Sequence, residues 1–347
     1  MKVLVTGHKG YIGSVLVPML LERGHEVTGL DSDLFAECTY TGELAHIPEH
    51  LGDVRDAPAS VLAGKDAVIH LAGLSNDPLG DYVPSLTDDI NHVAAVRIAK
   101  LAKQAGVPRY LFASSCSTYG ASGDQFLDET ARFNPVTPYG ESKVNVELSV
   151  MPLADETFSP TFMRASTAYG MSPRIRFDLV VNNLVAWAYT TGEVYLKSDG
   201  SPWRPIVHVE DISAAYIAAL EAPRETVHRA AFNVGSTTEN YQIRDIAEMV
   251  RQVVPGSKVA FATDAAPDKR CYRVDCGLIA RTLHGFKPQW TARRGTEQLY
   301  ETFQRVGLKL DDFEGERFKR IAHIKKLVGN GEIGTDLRRR SKLSNVG

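Results

Sequence analysis

Lys2-Val3-Leu4-Val5-Thr6-Gly7-His8-Lys9-Gly10-Tyr11-Ile12-Gly13 opens the chain, and the reading of this stretch decides the fold. Lys2 to Thr6 is apolar, β-branched and ended by glycine, the pattern of a short buried strand. From Ile12 onward, apolar residues at Val15, Leu16, Met19 and Leu20 fall along one helical face, which Pro18 should kink. Between strand and helix, Gly7, Gly10 and Gly13 permit a tight turn and let the backbone approach a pyrophosphate, with Tyr11 and Ile12 in the same loop. The helix start then offers free N–H groups and the positive end of its dipole to phosphates. A second strand, His25 to Leu30, ends in Asp31, about 20 residues beyond the loop, where a carboxylate can accept hydrogen bonds from ribose hydroxyls. That acid would repel a 2′-phosphate, so the expected cofactor is NAD rather than NADP. A lone glycine triplet would fit any strand–turn–helix. The strand, the helix and the acid together argue for dinucleotide binding.

The whole chain sets the bounds. Its 347 residues suggest one large or two modest domains with a sizeable core. Hydrophobic residues make up 44% and charged residues 23%, an ordinary globular composition. A net charge of −3 gives no general attraction to nucleic acid or an anionic membrane. Four cysteines (Cys38, Cys116, Cys271, Cys276) lack paired metal-ligand spacing and suit a reducing compartment, so no metal is expected. The first residues already form the nucleotide-binding strand, so nothing reads as a signal peptide. No apolar run reaches the roughly 18 residues that span a bilayer. The expectation is a cytoplasmic enzyme.

Strands and helices alternate through the first half, which predicts a parallel, doubly wound sheet. After a poorly defined loop from Asp33 to Glu49 comes Gly52-Asp53-Val54, where Asp53, with Val54 beside it, could meet the adenine or simply cap a turn. Asp66 to Gly73 reads as the next strand. Its end, Leu71-Ala72-Gly73, is small enough for a cofactor to lie across. His70 sits within that apolar strand and is expected to be a core histidine rather than a catalyst. Residues 85 to 105 read as one long helix, on which Asn91, expected beside the cofactor, either ties helix to sheet or supports a proton relay. The strand from Arg109 to Ala113 runs into Ser114-Ser115-Cys116-Ser117-Thr118-Tyr119-Gly120.

The chemical centre is Tyr139-x-x-x-Lys143. At i,i+4 on a helix both side chains share a face. An ammonium beside a phenol stabilises phenolate and draws its pKa down from about 10. Tyr139 can then remove a proton from a sugar hydroxyl, or return it, as hydride moves to or from a nicotinamide. Ser115, on the neighbouring strand end, is best placed to hydrogen-bond the same oxygen. Alone, the tyrosine–lysine pair would equally suit a surface helix; behind a dinucleotide loop it does not.

These features resemble an extended short-chain dehydrogenase/reductase of the nucleotide-sugar epimerase/dehydratase family, over nearly the whole chain. The motifs are T-G-H-K-G-Y-I-G at 6–13, H-L-A-G at 70–73, S-S-C-S-T-Y-G at 114–120 and Y-G-E-S-K at 139–143. R-A-S-T-A-Y-G at 164–170, N-N-L at 182–184 and W-R-P-I-V-H-V-E-D at 203–211 follow. The resemblance implies a Rossmann domain binding NAD and a smaller, discontinuous α/β domain binding a nucleotide diphosphate sugar. The division falls at 1–166 plus about 205–235, and about 167–204 plus 236–347. It makes Ser115, Tyr139 and Lys143 a catalytic triad, with Lys143 also on the nicotinamide ribose. It implies a homodimer through the helices around 85–105 and 140–152.

Departures from the family pattern narrow the reaction. Sugar-nucleotide dehydratases of this family carry an Asp-Glu pair after the catalytic serine or threonine, and here stand Cys116 and Ser117, which disfavours water elimination. Ser115, Cys116 and Ser117 are expected to contact the substrate, with Cys116 a small packed residue there rather than a nucleophile. Thr167 replaces a sugar- or diphosphate-binding asparagine. The family pattern implies diphosphate contacts from Asn183 and Arg204. A second contact falls to Arg270 or Arg273, within Pro267-Asp268-Lys269-Arg270-Cys271-Tyr272-Arg273, unless those arginines are surface ion pairs. Trp203 could stack on a base or fill a gap. Glu210 and Asp211 are explained as first-turn carboxylates on a helix. The basic tail from Glu316 is read as a solvated face and a frayed end rather than a nucleic-acid site. The expected activity is C4 epimerisation by bound NAD; a nucleotide-sugar 4-ketoreductase is the alternative, and a 4,6-dehydratase or a non-catalytic dinucleotide sensor comes after it.

Overall fold

The computed structural model describes residues 1–75, 83–263 and 270–340; Pro267 to Lys269 and the last residues of the basic tail lie outside them. In chain order the strands are β1 (Lys2–Thr6), β2 (Glu26–Asp31), β3 (Glu49–Leu51), β4 (Ala67–His70), β5 (Arg109–Ser115), β6 (Ala121–Leu127) and β7 (Ser159–Ala165). Then come β8 (Thr167–Tyr169), β9 (Glu193–Leu196), β10 (Trp203–His208), β11 (Ala230–Val234), β12 (Asn240–Gln242), β13 (Lys258–Phe261) and β14 (Cys271–Val274).

Seven of them form one parallel sheet in the order β11-β7-β5-β4-β1-β2-β3. Alternation along the strands feeds two cores. Val3 and Val5 pack with Leu16, Val17 and Leu20 of the first helix, Gly13–Glu22, and with Ile212 and Ala215 on one face. Leu4 packs with Ala95, Ile98 and Ala102 of the helix Ala94–Gln104 and Val146 of the helix Pro138–Val150 on the other. The chain runs from β1 outward to β2 and β3, then crosses back to place β4 on β1's other side. The crevice between the carboxyl ends of β1 and β4 is therefore the topological switch point, where such sheets take their ligands.

A third core joins Phe177, Leu184 and Leu196 to Val250 and Phe303. It lies among the small sheets β12-β10-β8 and β13-β9. The expected helix over 85–105 is interrupted: Asp89–Val93 is π-helical between Pro84–Asp88 and Ala94–Gln104. The C-terminal segment corrects two expectations. Ile324, Leu327, Ile333 and Leu337 pack into the second core of the seven-stranded sheet, not with the small sheets to which residues 236–347 were assigned. Nor is the basic tail simply a frayed, solvated face, because Arg320 is buried and Arg338 pairs with Asp56.

Candidate active site

The glycine loop is built so that no side chain fits. Gly7 has φ +72°, and a Cβ there would stand 2.7 Å from the Ala72 nitrogen; at Gly13 it would stand 2.4 Å from the Gly7 carbonyl oxygen. The loop thus lies directly on the residues after β4, and Leu71, Ala72 and Gly73 form the floor of a cavity of about 890 Å³. Gly7, Gly10, Tyr11, Ile12 and Gly13 line it, as do Asp31, Asp53 and Val54. Asp31 accepts hydrogen bonds from the backbone N–H of Lys9 (2.9 Å) and Asp33 (2.8 Å). Burial raises its pKa and those two donors oppose the rise. A cradle closed to side chains, with an oriented carboxylate at its end, fits a dinucleotide whose ribose hydroxyls are free.

Two expected cofactor contacts take other roles. The carboxylate of Asp53 is held by Arg55 in a paired contact (2.9 and 2.7 Å) and caps the turn Val54–Asp56, so the turn-capping alternative describes its side chain. Asn91 is buried behind the cavity wall, where its amide both accepts from and donates to the Leu74 backbone (2.6 and 2.9 Å). It ties its helix to the loop after β4 and is not among the cavity-lining residues. His70 is a core histidine as expected. It is fully buried with Nδ1 2.9 Å from the Thr6 hydroxyl, and burial takes it down to about 3.

Tyr139 and Lys143 line the same cavity from the helix Pro138–Val150, whose start is fixed by Pro138 and by the Thr137 hydroxyl accepting from Gly140 N–H (3.1 Å). Lys143 Nζ lies 5.3 Å from the centre of the Tyr139 ring and 4.7 Å from that of Phe112. Burial pushes Lys143 down to about 7, and Glu147 one turn later resists. Glu147 is itself fixed by Arg164 (2.7 Å). Opposite, at the end of β5, the Ser115 oxygen accepts from both the Ser117 N–H (3.1 Å) and the Ser117 hydroxyl (2.9 Å). Both acceptor positions of that hydroxyl are occupied, so its one proton is free to donate into the cavity.

Ser117 lines the cavity, but Cys116 does not. The expected substrate contact from Cys116 is corrected: its sulfur is fully buried, donates to the Arg164 carbonyl (3.1 Å), and its thiol is pushed up to about 12 by burial. β5 ends at Ser115, and the 3₁₀ turn Cys116–Tyr119 that follows buries Cys116 while Ser117 lines the cavity.

Thr167, Asn183, Arg204 and Arg270 line the far part of the cavity. Asn183 donates its amide N–H to the Phe177 carbonyl (2.9 Å). Arg204 donates to the Trp203 carbonyl (2.9 Å). Of the two arginines, Arg270 lines the cavity and Arg273 does not. Arg273 is stacked between Phe126 (3.9 Å) and Trp203 (4.4 Å), so Trp203 serves that packing and neither lines the cavity. Sequence reasoning missed Arg176, which donates to the Ser75 carbonyl and hydroxyl (2.9 Å each) and pairs with Asp178 (2.6 Å) at the cavity wall. The alternating Arg174-x-Arg176-x-Asp178, separated by three residues from Tyr169-Gly170, was its signal. It also missed Arg320, for which no local signal exists. Glu210 and Asp211 do begin a helix, Val209–Glu221, and Asp211 additionally accepts from the backbone of Gln289 and Trp290.

Comparison with known proteins agrees with this geometry. The sequence matches the NAD dependent epimerase/dehydratase family over residues 3–235. It is similar to the UDP-glucose 4-epimerase of Corynebacterium glutamicum, 30% identical over 274 residues, which are 73% of this chain and 80% of that one. A UDP-glucose 4-epimerase of Streptococcus mutans is 28% identical over 84% of this chain and 92% of its own. The structure of MoeE5 in complex with UDP-glucuronic acid and NAD superposes with a TM-score of 0.77 at 26% identity, over 89% of this chain and 100% of that one. The glycine cradle, the Ser115–Tyr139–Lys143 cavity and this match have one conclusion: the chain belongs to the NAD dependent epimerase/dehydratase family, and it is an NAD-dependent enzyme.

Proposed function

We propose that the protein is an NAD-dependent nucleotide diphosphate sugar epimerase acting at C4. The observation that carries this reading is one cavity that joins the dinucleotide cradle, the Ser115–Tyr139–Lys143 trio and the Asn183, Arg204 and Arg270 end, with a serine at 117 where an eliminating enzyme of this family would hold a carboxylic acid. Bound NAD supplies a hydride acceptor, and afterwards a hydride donor, at the carbinol carbon. The protein's own part is proton and charge. Lys143 stabilises Tyr139 as the phenolate, which takes the hydroxyl proton of the sugar and becomes the phenol. The free proton of Ser115 is donated to the sugar oxygen and holds it in place as it becomes a carbonyl. The 4-keto-sugar turns over while the diphosphate stays held by Arg204 and Arg270, so that the hydride returns to the opposite face of C4 and Tyr139 returns the proton to its oxygen. The UDP-glucose 4-epimerases among its relatives support this chemistry; the sugar and base are left to experiment.

The test is to offer the purified protein a panel of nucleotide diphosphate hexoses without added nicotinamide and to follow the C4 epimer by chromatography. Epimer formed with no net change at 340 nm supports the reading. Turnover only with a 4-keto-sugar and stoichiometric NAD(P)H consumption would replace it by the ketoreductase.

We further infer that residues 1–166 with about 205–235 serve the cofactor and most of the remainder serves the sugar nucleotide. A homodimer is proposed through the helices around 85–105 and 140–152. Its support is an apolar surface there, with Val93 50% and Leu148 61% exposed. A cytoplasmic location is proposed on the four unpaired cysteines. Among the described residues no helix is long and apolar enough to cross a membrane.

A further inference from the structure

The segment that follows the family match closes one wall of the cavity. Its helix, Arg320–Gly329, and the turn that follows are fastened to the loops after β2 and β3. Arg338 pairs with Asp56 (2.8 Å), Arg339 donates to the Ser32 carbonyl (2.9 Å), and Arg55 donates to the Asp336 carbonyl (2.8 Å). Arg320 and Leu337 thereby line the cavity beside Asp31, Phe35 and Asp53.

Arg320 is only 7% exposed, and its guanidinium lies 4.1 Å from the centre of the Phe35 ring. Nη2 donates to the Arg174 carbonyl (3.3 Å), but Nη1 is buried with no hydrogen-bond partner. The neighbouring arginines are compensated, Arg174 by Asp33 (3.0 Å) and Arg176 by Asp178 (2.6 Å). Arg320 has no carboxylate within ion-pair distance among the described residues. Burial takes it down to about 10, so it is cationic at neutral pH. A buried cation with an unspent donor is costly unless something supplies the negative charge.

Its place says what. Phe35 belongs to the adenosine end, next to Asp31. Arg320 lines the same cavity as Asp31, Gly10 and Tyr139, and the diphosphate is the anionic group of the dinucleotide that this cavity would hold. A 2′-phosphate would lie instead against Asp31, which repels it. We propose that Arg320 is a ligand to the diphosphate of the bound dinucleotide, and that the segment from Arg320 to Leu337 is a strap that retains the cofactor between turnovers. The inference rests on the reading of the glycine-loop cavity as the dinucleotide site.

The full chain, stripped of nucleotide and reloaded with NADH, tests this by displacement of NADH fluorescence with ADP and with adenosine, which lacks phosphate. Arg320→Met should weaken ADP roughly 10- to 100-fold, the loss of a charge-assisted hydrogen bond, and leave adenosine within about 2-fold. Arg320→Lys, a cation without the guanidinium fork, should fall between. Prebound NAD should leave Arg338→Ala faster than wild type on gel filtration, because the Asp56 tie is lost. Equal losses for ADP and adenosine, or unchanged ADP affinity in Arg320→Met, would overturn the proposal while the site stands. Wild-type protein that retains neither NADH nor ADP would overturn the site reading and the proposal with it.

Discussion

Replacing Ser115 and Ser117 one at a time by alanine separates two roles that the structure distinguishes. Ser115 has its two acceptor positions filled by Ser117, so its proton has a single direction left, into the cavity. If that proton stabilises the oxygen losing its hydrogen to Tyr139, Ser115→Ala removes a donor aimed at developing charge. By analogy with other preorganised donors this costs about 10²- to 10³-fold in kcat. Ser117→Ala removes only one of the two bonds that orient Ser115, since the Ser117 N–H remains. An orienting neutral hydrogen bond contributes about 0.5–1.5 kcal/mol, so kcat should fall roughly 2- to 10-fold with KM little changed. The Ser115 oxygen also caps the turn Cys116–Tyr119, so thermal midpoints are measured beside rates to remove a folding contribution. The assay is the steady-state appearance of the C4 epimer, with a single-turnover scan at 340 nm for reduced cofactor. A Ser117→Ala enzyme as impaired as Ser115→Ala, or a Ser115→Ala enzyme within about 5-fold of wild type, would refute the reasoning.

Other outcomes follow from single residues. Lys143 has a folded pKa lowered to about 7, so between about pH 7 and its unfolded value of about 10.5 the unfolded chain binds the extra proton. Stability of the cofactor-free protein should rise with pH across that window, and Lys143→Met should flatten the rise in denaturant titrations. Gly7→Ala combines a φ of +72° with a Cβ 2.7 Å from the Ala72 backbone, so it should cost about 1–3 kcal/mol in thermal unfolding and yield protein without bound dinucleotide by its absorbance ratio. Asp31→Ala removes the carboxylate that would meet a 2′-phosphate, and the ratio of NADP to NAD affinity, read by NAD(P)H fluorescence, should rise at least about 10-fold. Arg164→Met leaves Glu147 buried without its cation, and unfolding free energy should fall by about 3–5 kcal/mol in urea.

What could be read from the sequence was what the chain makes locally. The glycine loop, the acid after β2 and the Tyr139–Lys143 pair each depend on fewer than about 30 consecutive residues in a unit of known geometry, and the cavity gathers them as that geometry requires. Which way a side chain faces was less readable: the strand gives way to a 3₁₀ turn at Cys116, so no simple alternation told that Cys116 is buried while Ser117 lines the cavity. Residues 270 and 273 are three positions apart and equal in charge. Only the stacking of Arg273 between Phe126 and Trp203, which come from distant parts of the chain, separates them. Arg320 was hidden for a stronger reason. A basic tail reads as solvated because an isolated guanidinium should not be buried, and nothing near it in sequence compensates its charge. The proposed compensation is a ligand's charge, which shows only once the two ends of the chain are placed side by side. The same feature that defeated the sequence reading, a buried cation with an unspent donor, is the one that marks the residue as functional.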